Sequence, residues 1–360
     1  MDKVFKAFKN ACWMGNLNRI QHILDTNPTF IDYKIPHNND SLIMWLCDSS
    51  IHTFINIEIL QLLLNIKNTH IVAHQNFIGE TALMYACMAI CVDSVKLLLQ
   101  TGNAHPEYQN DEGESALILL CEYEEYVFDF DYHIPFITII KLLLQTGEAH
   151  PEYQDCYGES ALMFACKISL ADVSSLLQTG NAHPEYQNSK GESALMFACK
   201  YGMVCTVELL LKTGNAHPEY QNCYGESALM YACKNDVYYD NLETIKLLLK
   251  TGNAHPEYVN TIDGKTAYDY GNEDIKKCIR LYINFYLIRK IRLIVKVITA
   301  FRNYDKGKPY SCEMFYLMGQ DGITPDENLE FNVGDEKRKI NSQQLKFMKL
   351  GYKESTLQIL

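Results

Sequence analysis

Five histidines stand at the same place in a recurring phrase: His105, His150, His183, His217 and His255. Each is followed two residues later by a glutamate, Glu107, Glu152, Glu185, Glu219 and Glu257. Imidazole and carboxylate are both competent ligands for transition metals, so a stack of such pairs could bind one. In an extended loop, residues i and i+2 point to one side, which would line the pairs up as a ladder. The plainer reading is that each pair bonds within its own loop and to neighbouring backbone, because copying one unit repeats the pair whether or not anything is bound. No metal and no other cofactor is therefore assigned, and a metal-binding His/Glu ladder stays as a third functional reading. Imidazole titrates near neutrality, so the ladder predicts a stability that changes between about pH 5 and 8.

The thiols follow the same logic. Of thirteen cysteines, seven (Cys12, Cys47, Cys87, Cys121, Cys166, Cys199 and Cys233) recur at one position per unit. They read as small buried hydrophobes, not as bonding pairs, which predicts a reducing, cytoplasmic compartment. Met1 to Asn10 is charged and lacks the apolar segment of a secretory signal. There is no Gly-rich phosphate loop, no G-x-S-x-G elbow and no H-E-x-x-H. Cys and His that recur at equivalent positions behave as framework, so no catalytic residue and no enzyme activity is expected.

The elements that position these residues are repeats. The phrase TGNAHPEYQN begins, with small changes, at Thr101, Thr146, Thr179, Thr213 and Thr251. A second phrase, GESALMFAC or a variant, starts at Gly79, Gly113, Gly158, Gly191, Gly225 and Gly264, at spacings of 34, 45, 33, 34 and 39 residues. A period in this range marks a solenoid, whose units bury their apolar faces only by stacking. Between the phrases run two short apolar-periodic segments, Ala194 to Lys200 and Thr206 to Lys212 in the cleanest copy, split at Tyr201-Gly202. Ser160, Ser193 and Ser227 stand where a hydroxyl caps a helix start, and Gly214 where a left-handed residue stops one. Leu195, Ala198 and Cys199 form one apolar stripe, and Leu209, Leu210 and Leu211 are expected to supply the larger contacts.

The pattern G-E-S-A-L-M-x-A-C-K followed by x-V-x-L-L-L-x-T-G resembles the ankyrin repeat over residues 1 to 280. The resemblance implies an all-α ankyrin-repeat solenoid with a helical or irregular C-terminal extension. The family's usual Pro after the cap is Ala here, and its usual His is Met163, Met196 or Met230. The near-identical tandem copies look similar to the expanded ankyrin-repeat paralogue families of large DNA viruses, which implies a viral protein working in host cytoplasm. The family's recognition positions, carried onto this chain, are Asp111, Glu112 and Glu114; Cys156, Tyr157 and Glu159; Ser189, Lys190 and Glu192; and Cys223, Tyr224 and Glu226. Tyr beside a stripe of Glu suits a protein partner with basic and aliphatic character.

Charge bounds the partner class. The net charge of −12 conceals 14 Lys+Arg against 9 Asp+Glu from Arg280 onward, leaving 18 against 35 before it. An acidic array argues against phosphate-backbone binding, so no nucleic acid is expected. The chain divides into divergent N-terminal repeats (1–76), regular repeats (77–283) with insertions at 122–136 and 235–241, a basic apolar segment (284–303) and a mixed or partly disordered tail (304–360). Arg289, Lys290, Arg292 and Lys296 interrupt the apolar segment, so no membrane span is expected. The chain is expected to be a monomeric, non-catalytic protein-interaction scaffold. The alternative is a substrate adaptor linking a bound protein to a ubiquitin-ligase-type or other machine through its tail, although the leucine-proline opening of an F-box is missing.

Overall fold

A helix of seven residues is marginal in water on its own, yet the chain is built from helices of this size in pairs. In a computed structural model, residues 1–48, 57–66, 71–123, 133–168, 170–234 and 241–285 are described, with the backbone of 330–333 and 336–339. The pairs are α1 (Asp2–Trp13) with α2 (Leu17–Thr26), α3 (Leu42–Cys47) with α4 (Ile57–Asn65), and α5 (Ala82–Met88) with α6 (Val92–Gln100). They continue with α7 (Ala116–Tyr123) and α8 (His133–Gln145), α9 (Ala161–Ile168) and α10 (Leu170–Leu177), α11 (Ala194–Lys200) and α12 (Val204–Thr213), and α13 (Ala228–Lys234) and α14 (Leu242–Lys250). A short α15 (Ala267–Tyr270) and helical residues 273–285 follow. From α3 to α15, each first helix packs on the first helix of the next pair, and from α2 to α14 each second helix packs on the next second helix. Two parallel layers result.

The two layers differ in burial, and sequence explains why. In α11 every residue from Ala194 to Cys199 is buried, because the helix has neighbours on both sides and its partner behind. In α12 only Thr206, Val207 and Leu210 are buried. Leu209 and Leu211 remain half-exposed, contrary to the expectation that all three leucines are core: consecutive residues sit about 100° apart on a helix and cannot share one face. The column of thiols is enclosed as expected, and burial pushes Cys12 up to about 12 and raises Cys47, Cys87, Cys166 and Cys199 as well. Such thiols are unreactive.

Helix ends are satisfied locally. Ser193 and Ser227 accept from the amides of Met196 and Met230 at 3.4 Å each, and Ser115 and Thr81 do the same in earlier units. At Ser160 the backbone carbonyl accepts from Met163 N at 2.9 Å and from Phe164 N at 3.2 Å. At the C-terminal end of the second helix, Thr213 Oγ1 donates to Leu210 O at 2.7 Å and Gly214 takes a φ of 79°. That is the left-handed stop read from the sequence.

The chain divides into two compact units, Met1–Lys276 and Lys277–Leu360. In the second, β1 (Glu330–Val333) and β2 (Glu336–Lys339) pair antiparallel, with Glu330 opposite Lys339, a hairpin too short to announce itself by alternation. Residues 124–132 and 235–240 of the two insertions lie outside the described residues, as do 286–303 of the basic apolar segment and nearly all of the 304–360 tail. Among the described residues, no helix is long and apolar enough to cross a membrane.

Candidate functional site: the row of hairpin tips

Each unit is joined to the next by a hairpin whose base is an isolated β-bridge, Gln109 to Ser115, Gln154 to Ser160, Gln187 to Ser193 and Gln221 to Ser227. One side chain builds the tip. Asn222 Oδ1 accepts from the amides of Tyr224 and Glu226 at 2.9 Å each, while its Nδ2 donates to Glu226 Oε2 and Tyr231 Oη at 3.0 Å each. Asn188 and Asn110 repeat the pattern of accepted amides, and Asp155 substitutes for the asparagine between them, accepting from Tyr157 N and Glu159 N. An Asx side chain that accepts two amides makes the tight turn without help from the solvent.

The tips are then tied to one another. Asp111 N donates to Ile78 O (3.0 Å), Cys156 N to Glu112 O (2.6 Å), Ser189 N to Tyr157 O (2.7 Å), Cys223 N to Lys190 O (2.8 Å) and Thr261 N to Tyr224 O (2.8 Å). Below them, Gln75, Gln109, Gln154 and Gln187 each donate to their own hairpin's glycine carbonyl and to the backbone of the next hairpin. The glutamine series stops where Val259 takes the place.

Of the twelve residues read from the sequence, the structure brings eight together on this exposed row: Asp111, Glu112, Cys156, Tyr157, Ser189, Lys190, Cys223 and Tyr224. Tyr157 is 63% exposed. The other four, Glu114, Glu159, Glu192 and Glu226, sit beneath the row. Glu192 is 7% exposed and accepts from Tyr231 Oη at 2.7 Å. Glu159 Oε1 accepts from Asn188 of the next hairpin at 3.1 Å, and Glu226 Oε1 from Asn260 at 3.0 Å and from Lys234. Burial would raise Glu226, but the bonds from Lys234, Asn222 and Tyr231 outweigh it and hold the carboxylate below its ordinary range. These glutamates fasten units together; an acidic rim is what the sequence suggests, and their side-chain partners are the reason they do not form one.

Residues the sequence reading passed over complete the row. Phe77 and Ile78 occupy the tip before Asp111, and Thr261 and Ile262 the tip after Tyr224; Phe77 and Ile262 are 67% and 71% exposed. Their signal was available in register, since both pairs follow an asparagine, Asn76 or Asn260, just as Cys223 and Tyr224 follow Asn222. The lysines at the ends of the first helices lie over aromatic rings. Lys167 is 4.4 Å from the Phe164 centroid and 5.4 Å from that of Phe197, and Lys234 is 4.3 Å from that of Tyr270.

The His/Glu pairs form, but not in extended backbone. All five histidines adopt a left-handed conformation with φ between 44° and 49°, and each His carbonyl accepts from the Tyr amide three residues on at 3.0 or 3.1 Å. His-Pro-Glu-Tyr is a β-turn with proline at its second position. The turn brings Nδ1 to within 2.7 to 2.9 Å of the glutamate Oε1 and stacks imidazole on tyrosine with centroids 4.5 to 4.8 Å apart. One imidazole nitrogen and one face of each ring are thereby engaged within the unit. Among the described residues, no group of three or more His, Cys, Asp and Glu could hold a metal ion.

The turn has a pH signature. Burial alone would raise Glu107, Glu152 and Glu185; the imidazole bond, the backbone amide and the charge of the next unit's histidine together lower all three. A carboxylate with a depressed native value stabilises the fold above its ordinary range and loses that contribution as pH falls through the native value. The urea midpoint is therefore expected to drop between about pH 5 and pH 3, and an unchanged midpoint at pH 3 would remove these pairs from the stability of the array.

Comparisons with known proteins agree with this architecture. A family profile described as Ankyrin repeats (3 copies) matches residues 49–130, 132–222 and 169–263, more than half of the chain. The chain is similar to the crystal structure of the ankyrin repeat domain of Bcl-3, described as a unique member of the IkappaB protein family. The TM-score is 0.51 at 23% identity, over 67% of this chain and 100% of that one. At that identity the likeness speaks for the fold. No curated protein matches the chain.

Proposed function

Because the chain belongs to the ankyrin-repeat family, a general protein-interaction module, we propose that it is a non-catalytic scaffold binding a protein partner along the hairpin tips. The observation that supports this reading most is the division of labour in each hairpin. The supporting residues repeat almost unchanged, while the exposed pair changes from Phe-Ile to Asp-Glu, Cys-Tyr, Ser-Lys, Cys-Tyr and Thr-Ile along the row. Tip amides are already bonded, so a partner is read by side chains and not by adding a strand. Tyr157 and Tyr224 serve as anchors of the kind that dominate interfaces, with Asp111 and Glu112 offered to a basic group and Lys190 to an acidic one.

Affinity capture tests the reading. Tyr157→Ser with Tyr224→Ser is expected to cut partner recovery at least about tenfold, the loss of one hot-spot residue being worth about 2 kcal/mol, while the folded signal is kept because both side chains stand in solvent. Full recovery by the double variant would reject the tip row. Substituting Glu159, Glu192 or Glu226 instead would confuse binding with unfolding, since these carboxylates bridge units.

The adaptor reading is favoured by one observation, the reversal of charge from the acidic array to the basic stretch beginning at Arg280. A chain shortened to end at Ile283 separates the two: a scaffold keeps its partner, whereas an adaptor keeps it and loses a second one. The near-identity of tandem units supports the further proposal that the chain is a viral paralogue meeting its partner in host cytoplasm as a monomer.

A further inference from the structure

The glutamates beneath the tips are not all joined alike. At Glu226, the lysine ending the first helix, Lys234, and the asparagine of the next hairpin, Asn260, both donate to the carboxylate. At Glu159 the same two places are filled by Lys167, 3.9 Å away, and Asn188 at 3.1 Å. At Glu114 both places are changed. The lysine is replaced by Glu122 and the asparagine by Asp155. Two donors have become two carboxyl groups, and only Asn110 Nδ2, at 2.7 Å from Glu114 Oε2, is left of the usual set. Glu122, half-buried, stands eight residues after Glu114, in the place from which Lys167 and Lys234 reach Glu159 and Glu226, and this sets the two carboxyls against each other for a carboxyl-to-carboxyl hydrogen bond. Such a bond exists only while one of the two carries a proton.

We propose that Glu114 and Glu122 form a proton-controlled joint within the unit starting at Gly113, between its hairpin and the end of α7. With one proton shared, the end of α7 is held to its hairpin; when the proton leaves, two like charges face each other and α7 loosens at the point where the insertion at 124–132 begins. The inference goes beyond partner binding and does not depend on it.

The surroundings support the joint from each side. Burial is the largest influence on Glu122, followed by the bond to and the charge of Glu114; Asp155 adds to them and Lys167 on α9 opposes them, which leaves Glu122 raised to about 7. Asp155 is itself raised, chiefly by burial, with Glu159 and Glu114 adding to it. From α5 the titratable groups are the buried thiol of Cys87, raised by burial, and Tyr85, whose hydroxyl lies 3.4 Å from Asn76 Nδ2. On α8, Lys141 is exposed. A carboxyl raised in the native state stabilises the fold below its ordinary range and loses that contribution as pH rises to the native value. The window, from about pH 4.5 to about 7, is opposite in sign to that of the His/Glu turns.

Native-state hydrogen exchange of the full chain, corrected for intrinsic rates, tests the joint on peptides covering Ala116–Tyr123. The opening equilibrium of wild type is expected to grow about tenfold between about pH 5.5 and 8.5. Glu122→Gln and Glu114→Gln, which keep the shape and remove one charge, are expected to show less than a twofold change. Peptides covering Ala194–Lys200 in the same molecules provide the internal control and should not respond. A wild-type α7 that opens equally at both pH values, a Gln variant that keeps the response, or a control helix that shares it would each overturn the proposal.

Discussion

Gly191→Ala is expected to lower the stability of the array by about 3 kcal/mol, a large effect for one methyl group. Gly191 has a φ of 77°, where a side chain is strained, and a Cβ there would lie 3.0 Å from Asn222 Cα and 3.3 Å from Cys223 N. Those atoms belong to the backbone of the next hairpin. They cannot retreat cheaply, because Cys223 N is bonded to Lys190 O at 2.8 Å and Asn222 N to Glu226 O at 2.9 Å. Gly214 is the informative comparison. Its φ of 79° imposes the same strain, but nothing lies within 4 Å of its would-be Cβ. Gly214→Ala should therefore cost only about 1 kcal/mol. Urea unfolding of the two variants side by side separates strain from collision, and equal losses would mean that neighbouring hairpins are not held as closely as the distances state.

Asn222→Ala is expected to be as damaging, about 3 kcal/mol, through lost hydrogen bonds and not through volume. The substitution strips the amides of Tyr224 and Glu226 of their acceptor and withdraws a donor from Glu226 and from Tyr231. Asn222 is 6% exposed, so water does not readily replace it. Asn222→Asp keeps the acceptor and gives up only the donor, as Asp155 does naturally, and should lose about half as much. Denaturation midpoints decide the matter: were the aspartate variant the weaker of the two, the donor to Glu226, and not the bonded turn, would hold the hairpin.

Much of this was legible in the sequence because the repeat forces each residue into one environment several times. The period, the serine caps, the left-handed stop at Gly214 and the burial of the cysteine column all follow from local rules applied to a phrase that recurs. What escaped needed a second unit to be seen. Glu192 reads as an acidic surface residue until Tyr231, 39 positions away, is placed against it. The His-Pro-Glu-Tyr turn reads as extended chain in the sequence because the spacing of His and Glu fits both conformations; the left-handed histidine, unusual for a residue with a Cβ, accompanies the turn. Phe77, Ile78, Thr261 and Ile262 lie in phrases that have drifted, so only their register with Asn76 and Asn260 marks them. Glu122 reads as part of an acidic insertion, whereas its column in the three units that follow is lysine: Lys167, Lys200 and Lys234.

Among the described residues, the tip bonds, the glutamine series and the bonds to Glu159 and Glu226 from the next hairpin run between adjacent pairs, and helix packing follows the same rule. Distant parts of the array therefore communicate only by relay. Such a chain assembles as a zipper does: the slow event is the docking of a first pair of units, after which each addition closes a loop of roughly one repeat, a small entropic cost however long the polymer is. Folding speed is then set by the best-matched neighbours, those around Gly158 and Gly191, and is nearly indifferent to total length.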